Sequence, residues 1–134
     1  MLRNKPAREG QSIDTLIGPQ VTVHGDVVFS GGLYIEGHIK GKVLAEEGER
    51  AVVTLAEQGS IEGEIRAPVV ILNGRLIGDV HAAERIELAA KARVHGNLHY
   101  RVVEMHAGAQ LTGQLVHAES ASAIVSEKLA QASA

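Results

Sequence analysis

The sequence predicts a parallel β-helix of about six coils. Three observations predict it: one phrase recurs six times, each copy alternates with a period of two, and the apolar residues are almost all small or branched. The clearest copies are Ile61-Glu62-Gly63-Glu64-Ile65-Arg66-Ala67 and, fifteen residues on, Leu76-Ile77-Gly78-Asp79-Val80-His81-Ala82. Both run aliphatic, any, Gly, polar, aliphatic, any, Ala. Alternation of this kind means extended backbone with one face buried. The 134 residues are 45% hydrophobic but only 2% aromatic, so the core is built from Val, Ile, Leu and Ala. Such side chains suit the narrow interior of stacked short strands.

The elements follow in order. Residues Met1 to about Thr15 are polar and unpatterned, contain Pro6 and Gly10, and read as a flexible tail. Its first residues are two apolar groups, Met1 and Leu2, followed by Arg3, Lys5 and Arg8 with no acid before Glu9. That pattern suits a membrane-contact peptide of Met1, Leu2, Arg3 and Lys5. Burial in lipid is worth roughly 1.5–3 kcal/mol for each apolar side chain, and each cation near an anionic leaflet adds about 1 kcal/mol. One tail is marginal, so many must act together.

The repeat domain spans 16–117. Its phrases centre on Gly25, Gly41, Gly63, Gly78, Gly96 and Gly113, at intervals of 16, 22, 15, 18 and 17. Each interval also holds an apolar-x-apolar arm: Leu33/Ile35, Val53/Leu55, Val70/Leu72, Ile86/Leu88 and Val103/Met105. From arm to next phrase the spacing is six residues (Leu33 to Ile39, Val70 to Leu76) or eight (Val53 to Ile61, Ile86 to Val94, Val103 to Leu111). The longer version carries a turn insert such as Ala89–Ala92. The 22-residue interval is lengthened by Glu46–Ala51, a polar stretch around Gly48 that reads as a bulging loop. One coil cannot close a core; stacking buries each inward aliphatic on its counterparts above and below. Glu62, Glu64, Arg66, Asp79, His81, Glu87, Arg93 and Glu104 fall on outward positions. After His117 the pattern stops, and 118–134 reads as an Ala/Ser-rich C-terminal tail.

The chain has no Cys, so disulfides and thiolate metal sites are excluded. The net charge of -3 argues against general attraction to nucleic acid. No phosphate loop of Walker type and no Gly-x-Ser-x-Gly elbow is present, so neither nucleotide nor cofactor is expected. His24, His81, His95 and His99 fall on outward positions and read as a surface stack. A three-His zinc site lacks a His-x-His pair or an evident carboxylate partner. No catalytic constellation emerges, and the chain reads as a non-enzyme.

The two ends of such a rod expose unpaired backbone and the rim of the core, and edges of this kind pair with another chain unless blocked. Only Pro19 opposes docking at the first coil. The expected polymer contacts are Val21, Val23 and Phe29 at one end and Leu111, Leu115 and Val116 at the other.

Gly31-Gly32-Leu33-Tyr34-Ile35-Glu36-Gly37, Gly59-Ser60-Ile61-Glu62-Gly63-Glu64-Ile65 and Val70-Ile71-Leu72-Asn73-Gly74-Arg75-Leu76-Ile77-Gly78-Asp79-Val80 resemble bactofilins, bacterial polymer-forming cytoskeletal proteins. The resemblance runs from about Leu16 to His117. It implies a right-handed, three-faced β-helix with flexible tails and nucleotide-independent, end-to-end assembly into non-polar filaments. It further implies a cytoplasmic location at the inner face of the cytoplasmic membrane. Peptidoglycan-remodelling enzymes or scaffold proteins are the implied partners. Met1, Leu2, Arg3 and Lys5 resemble the family's membrane-binding peptide. The family often has a C-terminal Phe in polymer contacts, whereas the only Phe here is Phe29, in the first coil. Two alternatives compete: a left-handed hexapeptide-repeat acyltransferase-like enzyme, and a non-polymerising adaptor. The six-residue series Val70, Leu76, Ala82, Leu88, Val94, Tyr100 favours the former, but intervals of 15, 16 and 17 break its eighteen-residue phase.

Overall fold

A computed structural model describes residues 13–46 and 50–117. Within them every element is a β-strand and every strand pairing is parallel. The first coil consists of β1 (Thr15–Ile17), β2 (Thr22–His24) and β3 (Val27–Phe29). The second repeats it as β4 (Gly31–Ile35), β5 (His38–Lys40) and β6 (Val43–Ala45). β1 pairs β4, β2 pairs β5 and β3 pairs β6, so three strands per coil make three faces. Later coils run their corners into longer strands: β7 (Ala51–Leu55), β8 (Ser60–Leu72), β9 (Arg75–Leu88), β10 (Arg93–Tyr100), β11 (Val102–Met105) and β12 (Gln110–His117). The result is a β-solenoid of about six turns, rising about 4.8 Å per turn.

The repeated phrases stand in vertical columns. Val23, Ile39, Ile61, Leu76, Val94 and Leu111 are register partners in succession. So are Val27, Val43, Ile65, Val80, Leu98 and Leu115. The arm column runs Leu33, Val53, Val70, Ile86, Val103, with Ile35, Leu55, Leu72, Leu88, Met105 beside it. Thr15 and Ile17 extend both arm columns by one coil, an arm the apolar-x-apolar pattern missed because Thr15 is polar. The middle of every column is sealed: Ile61, Ile65, Leu72, Leu76, Val80 and Ile86 have no exposed surface. No polar or charged side chain is buried among the described residues.

The two spacings between arm and phrase correspond to two corners. Eight-residue corners close a turn: Gly59 N–H donates to Ala56 O (2.9 Å), Ala92 N–H to Ala89 O (3.0 Å) and Ala109 N–H to His106 O (3.1 Å). The first coil uses the same device, Val21 N–H to Gly18 O at 3.1 Å, around Pro19. Six-residue corners bend directly, with Glu36 and Asn73 donating from their backbones to Ile17 and Leu55 of the coil below, each at 2.8 Å.

At the other corner lies the glycine column. All six phrase glycines have φ between 129° and 155°, a region that L side chains rarely enter. A Cβ on Gly41, Gly63, Gly78, Gly96 or Gly113 would land on the carbonyl oxygen of the glycine beneath. Neighbouring side chains cap amides near this bend: Asp26 Oδ1 accepts from Lys42 N–H (3.0 Å), and Asp79 Oδ1 from Asn97 N–H (3.1 Å).

One expectation for the long interval changes in detail. Ala51 is not loop: it opens β7, pairs with Gly31 and is buried. Glu47, Gly48 and Glu49 lie outside the described residues, as do 1–12 and 118–134. The proposed membrane-contact residues Met1, Leu2, Arg3 and Lys5 and the C-terminal tail therefore fall there.

Candidate assembly surfaces

The sites this sequence builds are surfaces. In a parallel stack each strand offers one hydrogen-bonding edge to the coil above and one to the coil below. Among the described residues β1, β2 and β3 pair on one side only, and so do β11 and β12. Among the described residues both ends are therefore open sheet edges. They are also where apolar surface is exposed. Of the large hydrophobic side chains exposed among the described residues, Ile13, Leu16, Val21 and Val28 lie at the first coil and Val102, Met105 and Leu115 at the last. Ile77 alone lies between.

Stacking explains why. Leu115 occupies the same inward column as the fully buried Val80 and Leu98 but has no coil above it among the described residues, and it is 41% exposed. Leu111 and Val23 are half-buried ends of a second column, and Val116 is half-buried on the flank. Val21 is 44% exposed in the first corner. Phe29, expected among the polymer contacts, faces inward at the first coil. It is 7% exposed and packs in the core, in register with the small Ala45, whose size leaves room for the ring. Phe29 thus shapes that end from within. Leu16, Val28, Val102 and Met105 were not singled out from the sequence. Leu16 and Val28 carried a signal: each is apolar at an outward position.

The three flanks differ in charge. On the arm flank, Arg85 lies 3.6 Å from both Glu87 and Glu104, and His106 Nε2 donates to Glu87 Oε2 at 3.0 Å. At its corner Lys91 pairs with Glu57 at 3.6 Å. Glu87, Glu104 and His106 form the one group among the described residues with the spacing of a metal site. Arg85 lies beside both carboxylates and so competes with a metal ion for them; of these four residues the sequence placed Glu87 and Glu104 outward but did not single out Arg85 or His106. On the flank after the glycines, Glu64 pairs with Arg66 and lies 3.5 Å from His81. The carboxylate partners that the sequence did not reveal are therefore Glu64 for His81 and Glu87 for His106. Of the expected histidine stack, His81 and His99 are parallel to within 9°, with ring centroids 4.3 Å apart, whereas His24 and His95 are register partners of Lys40 and Ile77 instead. Burial, then His99 and Arg66, hold His81 below its usual pKa of 6.5. On the flank before the glycines, His38, Lys40, Glu62, Arg75, Arg93 and His95 stand outward between buried Ile39, Ile61, Leu76 and Val94.

None of these groups forms a nucleophile, base and orienting partner in a closed cleft. The geometry of the described residues is that of a rod with three solvated walls and apolar side chains exposed at both ends. The comparisons with known proteins agree with it. Residues 15–116 match the family described as "Bactofilin: Polymer-forming cytoskeletal". The chain is 26% identical over 102 residues to bactofilin BacO of Myxococcus xanthus (strain DK1622), covering 76% of this chain and 78% of that protein. It is 21% identical over 102 residues to bactofilin BacP of the same organism, again over 76% of this chain but only 41% of BacP. No solved structure matches. With a family match across most of its length and the stacked coils to go with it, the chain belongs to the bactofilin family of polymer-forming cytoskeletal proteins.

Proposed function

We propose that this protein assembles end to end into nucleotide-independent, non-polar filaments at the inner face of the cytoplasmic membrane. There the filaments scaffold cell-wall, shape or polarity machinery such as peptidoglycan-remodelling enzymes. The observation that carries assembly is the concentration of exposed apolar side chains at the two open coils. Val21, Val23, Leu111 and Leu115 are each about half-buried already, so completing their burial is worth roughly 3–6 kcal/mol. Association costs about 4–15 kcal/mol. Apolar contact at these four residues therefore does not suffice by itself, and continuation of the three-stranded ladder across the joint supplies the surplus. A nucleotide has no role in that balance.

The purified chain is expected to form filaments in negative-stain micrographs without added nucleotide. Leu115→Asp places a charge in the joint and is expected to leave monomers with unchanged β-sheet circular dichroism. A monodisperse wild-type monomer in light scattering at micromolar concentration refutes assembly.

A further inference from the structure

We propose that the flank before the glycines is the side of the rod that lies against an anionic lipid surface. Its outward positions carry three cations, Lys40, Arg75 and Arg93, against one carboxylate, Glu62. All four side chains are exposed while the residues between them are buried, so the charges lie on one nearly flat sheet face. Every ion-paired Lys or Arg among the described residues lies elsewhere: Arg66, Arg85 and Lys91 have acidic partners on the other two flanks or their corners. Among the same residues Lys40, Arg75 and Arg93 are in no ion pair, and the one acid of the face, Glu62, is the register partner of Lys40, which leaves Arg75 and Arg93 as the uncompensated charges. Arg75 and Arg93 are direct register partners on adjacent coils. Like charges opposed across a ladder destabilise it, and an anionic surface offsets that repulsion.

The chemistry of the face selects lipid headgroups over nucleic acid. It has no Phe, Tyr or Trp for a base to stack on, and it offers a plane of cations with one exposed aliphatic, Ile77, in its midst. A rod lying on this flank keeps both open ends free, so stacking repeats the same cations along a filament and multiplies weak single contacts. This inference rests on the membrane association proposed above and names the surface that carries it.

The test uses the full chain. It is mixed with phosphatidylcholine vesicles with and without phosphatidylglycerol and floated through a density gradient, which separates vesicle-bound protein from free filaments, and filaments are imaged in the same samples. Wild-type protein is expected to float only with the anionic vesicles and to be released by added salt. Arg75→Glu/Arg93→Glu is expected to lose about tenfold or more of that binding while still forming filaments. Arg75→Gln/Arg93→Gln, a milder change with the fold checked by circular dichroism, is expected to lose part of it. Arg85→Glu/Lys91→Glu, the same charge change on the arm flank, is expected to bind as wild type. Equal loss in that control, or undiminished binding by both Arg75/Arg93 variants, overturns the assignment. Filaments that bind no anionic vesicle refute membrane association itself, and the assignment with it.

Discussion

Gly78 offers a test of the stacked-coil argument in which each contribution is measured separately. Its φ is 139°, and a Cβ there would meet the carbonyl oxygen, carbonyl carbon and amide nitrogen of Gly63. Gly63 is its register partner, held in the β8–β9 ladder, so neither backbone yields without breaking parallel pairing. Gly78→Ala therefore incurs a backbone term of about 1–3 kcal/mol and an overpacking term of about 1–3 kcal/mol or more. The sum is a large fraction of the roughly 5–15 kcal/mol that holds a domain folded. Gly25, at the foot of the same column, separates the two: its φ is 129°, but nothing lies within 4 Å of its Cβ position. Gly25→Ala should show the backbone term alone. Gly18, with neither constraint, is the control. Urea unfolding of all three variants by circular dichroism, at one protein concentration, should rank Gly78→Ala well below Gly25→Ala and Gly25→Ala below Gly18→Ala. If Gly78→Ala costs no more than Gly25→Ala, the close approach of glycine backbones is not what selects this residue.

Other expectations concern the core, the ends, pH and the tail. Leu76→Ala removes a side chain with no exposed surface and should cost about 2–5 kcal/mol in urea unfolding, whereas Leu111→Ala, half-buried in the same column, should cost clearly less; equal losses would mean the last coil is covered. Val23→Asp at the first coil should abolish filaments in micrographs as Leu115→Asp does at the last. His81 is held below 6.5, first by burial, so below that pH the unfolded chain binds the proton more readily than the folded one. Its contribution to stability is complete above 6.5 and declines as pH falls below it. Melting curves on either side of 6.5 should show a smaller acid loss for His81→Gln than for wild type. Deleting Met1–Arg8 should weaken binding to anionic vesicles and spare filaments.

Much of the fold is legible in single residues because a solenoid asks the same question of each coil. The phrase aliphatic-x-Gly-x-aliphatic recurs since every inward position meets its own counterpart above and below. The sequence therefore named Ile61, Leu76 and Val94 as one stack, and likewise Ile65, Val80 and Leu98. It also anticipated that His81 and His99 would line up, though His24 and His95 do not join them. Less was legible at the first arm, where Thr15 broke the apolar alternation, and at Ala51, where a polar stretch concealed a strand start.

The sequence by itself determined the coil, its columns and its two unlike corners, because a period of two and a repeat near seventeen leave few other ways to bury those aliphatics. Only the tertiary structure decided the contents of the walls and ends. It set His106 against Glu87, drew Phe29 into the core beside Ala45, and opposed Arg75 and Arg93 on adjacent coils with neither in an ion pair among the described residues. The physical reason is register. These partners lie about one coil apart in a chain whose intervals vary from 15 to 22 residues, so which outward side chains meet depends on how the corners absorb the difference.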